Sequence, residues 1–216
     1  MSTGRRRIVF WRHGRTAWNA ESRFQGQTDV PLDDAGREQA AQAAAALAKL
    51  QPARIVASDL ARARATAEAL AQRTGLDVEP DARLRETFAG EWQGLTRREL
   101  EERFGDALAQ WSAGADIRPG GGETRVEVAD RVVAGVGEAL ARTPDGTLVV
   151  ATHGGAARAA IGALLGLPPE HWAALGVLAN CAWSVLEENA TRHGPAWRLQ
   201  EYNARSLPVT ALADDR

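Results

Sequence analysis

The chain has 216 residues, 44% hydrophobic and 25% charged, which suits one soluble domain with a substantial core. Its 26 basic and 28 acidic residues leave a formal net charge of −2, so no broad field draws it to nucleic acid or to an anionic membrane. No run reaches the roughly 18 apolar residues of a membrane span, and the lone Cys181 excludes an intrachain disulfide.

The expectation is one cytoplasmic domain over 1–216, with 1–6 and 207–216 flexible. Ile8-Val9-Phe10-Trp11 is a short β-forming run that ends at Gly14 and reads as a buried strand. The alanine-rich stretch 35–50 predicts a helix stopping before Pro52. A second strand follows at 54–57, a helix over 59–73 closed by Gly75, and a short third strand at 76–79. The span from Phe88 to Gly122 has weaker periodicity; 96–104 predicts a helix and the rest loops or short helices. A long helix over 123–142 leads to the strand Thr147 to Thr152, then to His153-Gly154-Gly155 and a helix over 156–165. Late strands are expected at 182–186 and 196–202.

Alternating strands and helices predict a three-layer α/β/α sandwich with a mostly parallel central sheet. Ligands of such sheets bind outside the carboxyl ends of the strands. Three polar signatures fall there: Arg12-His13-Gly14, Ser58-Asp59 leading to Arg62, and His153-Gly154-Gly155. Phosphoryl transfer needs a nucleophile, an acid for the leaving oxygen and cations for the non-bridging oxygens. A neutral imidazole attacks phosphorus without a metal when its other nitrogen is held by a hydrogen bond. His13 is the candidate nucleophile, beside Arg12 and with Gly14 permitting close backbone approach. Arg62 lies in a first helical turn whose amides would also favour an anion. His153 offers a second imidazole, expected to be charged beside bound phosphate, and Glu86 the proton, with burial raising its pKa.

The chain is identified by its motifs as resembling the histidine phosphatase superfamily, in the phosphoglycerate-mutase-like branch. They begin with Arg12-His13-Gly14-Arg15-Thr16-Ala17-Trp18-Asn19, Phe24-Gln25-Gly26 and Ser58-Asp59-Leu60-Ala61-Arg62-Ala63. Leu84-Arg85-Glu86, Gly90-Glu91-Trp92-Gln93-Gly94, Gly122-Glu123-Thr124 and His153-Gly154-Gly155 continue them in family order. The resemblance implies a phosphohistidine at His13, Glu86 as proton donor, and a phosphate pocket of Arg12, Arg62 and His153 assisted by Asn19. Gln25 and Gly26 would line the site, and Thr16 and Gly154 count with them as substrate-binding residues. Arg15 departs from the family's usual Gln or Glu; a cation there could prefer an anionic substrate, so Arg15 is the expected partner of a substrate carboxylate.

The stretches around Arg83-Leu84-Arg85-Glu86-Thr87, Trp172-Ala173-Ala174-Leu175-Gly176 and Asn180-Cys181-Ala182-Trp183 resemble actinobacterial glucosyl-3-phosphoglycerate phosphatases more narrowly. That resemblance implies a small phosphorylated metabolite as the partner. A phosphoglycerate mutase and a non-catalytic phospholigand-binding domain compete with the phosphatase. The compact segment from Glu86 to His153 disfavours the mutase, and the complete catalytic set disfavours the bystander. No zinc-type or nucleotide-loop motif is present, so neither metal nor cofactor is expected. His171 and His193 read as ordinary polar residues, Cys181 as a packed thiol, and the apolar segment from Trp172 to Trp183 as a homodimer surface.

Overall fold

The computed structural model describes residues 5–189 and 196–206; His193 lies outside them, as do the ends 1–6 and 207–216 expected to be flexible, except for Arg5 and Arg6, which pair with Glu187 and Glu188. The elements run β1 (Arg7–Arg12), α1 (Ala17–Ala20), α2 (Asp34–Leu47), β2 (Pro52–Ala57), α3 (Ala61–Thr74) and β3 (Val78–Pro80). They continue with α4 (Arg97–Ser112), α5 (Arg125–Ala141), β4 (Thr147–Thr152), α6 (Gly154–Leu164), β5 (Trp183–Glu188) and β6 (Trp197–Ala204).

One sheet of order β3-β2-β4-β1-β5-β6 organises the chain. β3, β2, β4 and β1 pair in parallel, and β5 and β6 close one edge antiparallel. This is the expected mostly parallel sheet. Each strand alternates its side chains between the two faces. Ile8, Phe10, Leu148 and Val150 therefore pack toward α5 and α6, whereas Val9, Trp11, Ile55 and Val149 pack toward α2 and α3. β4 is buried at every position, as a central strand covered on both faces must be.

The largest departure from the predicted elements is α4, which runs well past 104. Its start is set by a capping box between Thr96 and Glu99. The helix expected over 96–104 ends just before Gly105, and the backbone does kink at Phe104 (φ −137°, ψ 28°). The helix nonetheless resumes, because Leu108 and Trp111 must reach the apolar cluster of Ala89, Trp92, Leu100 and Phe24. Tertiary burial outweighs the roughly 1 kcal/mol penalty of one helical glycine. This third cluster forms a wall beside the carboxyl ends of the parallel strands.

Trp172 and Trp183, part of the expected dimer surface, are buried, and Leu178 and Ala182 with them. Among the described residues the exposed large apolar side chains are Phe88 and Val177.

Candidate active site

β1, β4 and β2 lie side by side, and their carboxyl ends bring the three polar signatures together. The His13 amide donates to Thr152 O at 3.0 Å and Ser58 N to Ala151 O at 2.9 Å, so the sheet ladder itself sets the spacing. The His13 and His153 ring centroids are 5.1 Å apart. A cavity of about 170 Å³ opens beside His13, lined by Arg12, His13, Asn19, Arg23, Phe24, Gln25, Gly26, Arg62, Glu86, Thr87, Trp111, Gly155, Arg158 and Val177, with the fully buried His153 behind His13 and not in the lining.

His13 is almost fully buried, and its Nδ1 lies 2.7 Å from Gly14 O. A carbonyl only accepts, so Nδ1 carries the hydrogen and the lone pair is on Nε2. Burial first, then the charges of Arg62 and Arg12, hold the His13 pKa well below 6.5, so the ring is neutral. His153 is likewise held well below 6.5 by burial, Arg62, His13, Arg12 and Arg131, so its ring is neutral in the empty site; the charged imidazole was expected beside bound phosphate. Its Nε2 is 2.9 Å from Ser58 Oγ, and its buried Nδ1 has no hydrogen-bond partner among the described residues. A phosphomonoester bound as its monoanion, carrying one proton, would oppose the positive field of Arg62 and Arg12 and favour the imidazolium.

Arg62 is completely buried, and its two terminal nitrogens donate to Thr28 O (2.8 Å) and Gly26 O (2.7 Å). Burial lowers its pKa to about 10, so the guanidinium stays charged at neutral pH. Its Nε is a buried donor and His153 Nδ1 a buried ring nitrogen, each without a hydrogen-bond partner among the described residues. Such orphaned groups cost about 1–3 kcal/mol each, and a bound oxyanion would satisfy them. Arg12 anchors to Leu178 O at 2.6 Å. The helix end expected to bind the anion is already occupied: Ala61 N at the start of α3 donates to Asp29 at 2.8 Å.

Glu86 accepts from Gly155 N (3.0 Å), Ala156 N (2.9 Å) and Thr87 N (2.9 Å), and so sits on the amino end of α6. A Cβ at Gly155 would stand 2.7 Å from Glu86 Oε1, which explains the glycine. The loop carrying Glu86 is clamped by Arg131, which was not singled out from the sequence. Arg131 donates to Arg83 O (2.7 Å), Arg85 O (2.6 Å) and Glu86 O (2.9 Å), and its guanidinium is held by Glu123 at 2.7 Å. The signal available was the Gly122-Glu123-Thr124 motif, whose acid has its partner two helical turns on in α5.

Of the remaining predicted residues, Asn19, Gln25 and Gly26 line the cavity. Asn19 closes a capping box with the buried Thr16, and its Oδ1 accepts from Thr16 N and Asn180. Thr16 therefore supports Asn19 from behind and does not itself reach the cavity. Gly26 has φ +52°, a region glycine adopts without strain, and a Cβ there would meet Gln93 Oε1 at 2.3 Å. Gly14 is needed for packing: its Cβ would fall 2.3 Å from Gly36 O. Gly154 starts α6 against Val177 and Arg12. Arg15 stays outside the cavity; its Nε donates to Asp33 at 2.8 Å. Cys181 is buried with its thiol pushed up to about 12, and His171 is exposed, as expected for residues without a chemical role. No group of three or more potential metal ligands occurs among the described residues.

These groups set a neutral imidazole nitrogen beside fixed positive charge, with the Glu86 carboxyl lining the same cavity. A profile of the histidine phosphatase superfamily (branch 1) matches residues 8–205. A glucosyl-3-phosphoglycerate phosphatase of Mycolicibacterium vanbaalenii is 45% identical, over 92% of this chain and 95% of that protein. A probable phosphoglycerate mutase of Salmonella paratyphi C is 37% identical over 83% of this chain and 84% of its own. The solved structure of a mycobacterial glucosyl-3-phosphoglycerate phosphatase in complex with VO3 superposes with a TM-score of 0.85 at 45% identity, covering 92% of this chain and 99% of the other. By the near-complete span of the profile and of these relatives, the chain belongs to branch 1 of the histidine phosphatase superfamily.

Proposed function

We propose that this chain is a phosphomonoesterase working through a phosphohistidine at His13, with glucosyl-3-phosphoglycerate as its substrate. The observation carrying this reading is the His13 ring: Nδ1–H is fixed by Gly14 O and burial keeps the imidazole neutral, so Nε2 is free to attack. Arg12, Arg62, His153 and Asn19 receive the non-bridging oxygens as charge builds on them. Glu86 shares the proton that arrives with the phosphate and passes it to the leaving alkoxide. Water then attacks the phosphohistidine, and Glu86 takes the proton back.

The substrate follows from the relative at 45% identity. The mutase-named relative at 37% makes return of the phosphoryl group to a second hydroxyl the competing outcome. The test is phosphate release from glucosyl-3-phosphoglycerate in excess chelator, with acid-labile phosphoenzyme trapped by rapid quench. Activity that survives the chelator, and a phosphoenzyme that disappears in His13→Ala, are expected. Strict metal dependence would overturn the mechanism, and transfer between the 2- and 3-positions of phosphoglycerate would replace the phosphatase by the mutase.

A further inference from the structure

Arg158 lines the catalytic cavity one turn into α6 and has no role in the phosphate chemistry described above. Its guanidinium is half-buried, and neither a hydrogen bond nor an ion pair ties it to any described residue. Its electrostatic neighbours explain why it is left unsatisfied. Tyr202 is a neutral phenol, its pKa pushed up to about 12 by burial, and its hydroxyl donates to Gly176 O. Glu86 already accepts from three amides. Arg125 is a like charge, itself occupied by Ala115 O and Trp111 O and stacked 4.7 Å over the Trp111 ring. Two adjacent cations, the buried Arg125 and the half-buried Arg158 without an acceptor among the described residues, raise the free energy of the empty site, and an anion between cavity and helix would lower it.

The position of Arg158 along the helix says which anion. Gly154 abuts Arg12 and Gly155 abuts Glu86, so Arg158, three to four residues on, shares their face of α6 about 5.4 Å further along the axis. In 3-phosphoglycerate, four covalent bonds separate the phosphorus from the carboxyl carbon, roughly 5 Å when extended. We infer that Arg158 is a specificity-determining residue that binds the carboxylate of a phosphoglycerate-type substrate whose phosphate faces His13. This deepens the reading under Proposed function and rests on it, and it moves the carboxylate partner from Arg15, which is paired with Asp33 outside the cavity.

The test reads a ratio, kcat/KM for 3-phosphoglycerate over kcat/KM for glycerol 3-phosphate, the same skeleton without the carboxylate. A fraction of misfolded enzyme lowers both terms equally and leaves the ratio unmoved. Arg158→Ala should lower the ratio about 10–100-fold, the range of a lost charge-assisted hydrogen bond, through KM for the carboxylated ester. Arg158→Lys should restore part of it, and Arg15→Gln should leave it at the wild-type value. A large wild-type ratio that survives Arg158→Ala overturns the role of Arg158 and leaves the substrate reading standing. A wild-type ratio near one overturns the substrate reading itself, and this inference falls with it.

Discussion

Gly155→Ala separates the chemistry of Glu86 from the stability of the fold. The new methyl would stand 2.7 Å from Glu86 Oε1 and 3.3 Å from its carboxyl carbon. Ordinary carbon–oxygen contact is near 3.4 Å, so a shift of roughly 0.7 Å is required. The carboxylate cannot simply swing away, since it is bonded to Gly155, Ala156 and Thr87 amides while Arg131 and Gln27 hold the Glu86 carbonyl. A misplacement near 1 Å costs about 10²-fold, and a positioned acid contributes about 10²–10⁴-fold. Turnover of an alkyl phosphomonoester should therefore fall about 30–100-fold. A nitrophenyl phosphate, whose leaving group needs no acid, should lose threefold or less. Stability should hardly change, because alanine in a helix gains up to about 1 kcal/mol over glycine and offsets the lost amide bonds. Steady-state kinetics on both esters beside a thermal melt decide the matter. Equal losses on the two esters, or none on either, would refute Glu86 as the acid seated on α6.

Two further outcomes follow from the same geometry. His13 and His153 are both held neutral with pKa values well below 6.5 in the folded chain, whereas the unfolded chain protonates them near 6.5. The unfolded state then binds more protons below pH 6.5, so stability is full above that value and falls as pH drops toward the folded pKa values, by up to about 1.4 kcal/mol per histidine per pH unit. Urea midpoints between pH 7 and 5 should show a shallower acid loss in His153→Gln than in wild type; parallel curves would contradict the neutral assignment. Arg131→Met strips three carbonyls and Glu123 of their donor at a site mostly shielded from water. A loss of about 2–4 kcal/mol is expected, together with a fall in kcat on alkyl esters larger than that on nitrophenyl phosphate. A melt lowered with no difference between the two esters would mean that Arg131 holds the fold without positioning Glu86.

The continuous apolar runs of β1 and β4, the alanine-rich helices and the strand-end residues His13 and His153 were legible in the sequence, because local patterning and strand-end placement are written in adjacent residues. So was the address of Arg62 at a helix start, although the reason offered for it was not the one found: the amide there serves Asp29. The continuation of α4 past Gly105 depends on a cluster assembled from residues 24, 89, 92 and 111, which no local window contains. The same holds for the site. That His13 and His153 belong together could be read from matching strand ends, but their neutrality is a product of burial and of two arginines from different segments. Pairing of Arg15 with Asp33, of Arg131 with the Glu86 loop, and the lack of a hydrogen-bond partner for Arg158 among the described residues are long-range accidents of packing. Sequence supplies the identities of charged groups in order; a charge's partner depends on which surfaces the fold presses together, and that follows only from the assembled sheet and its helices.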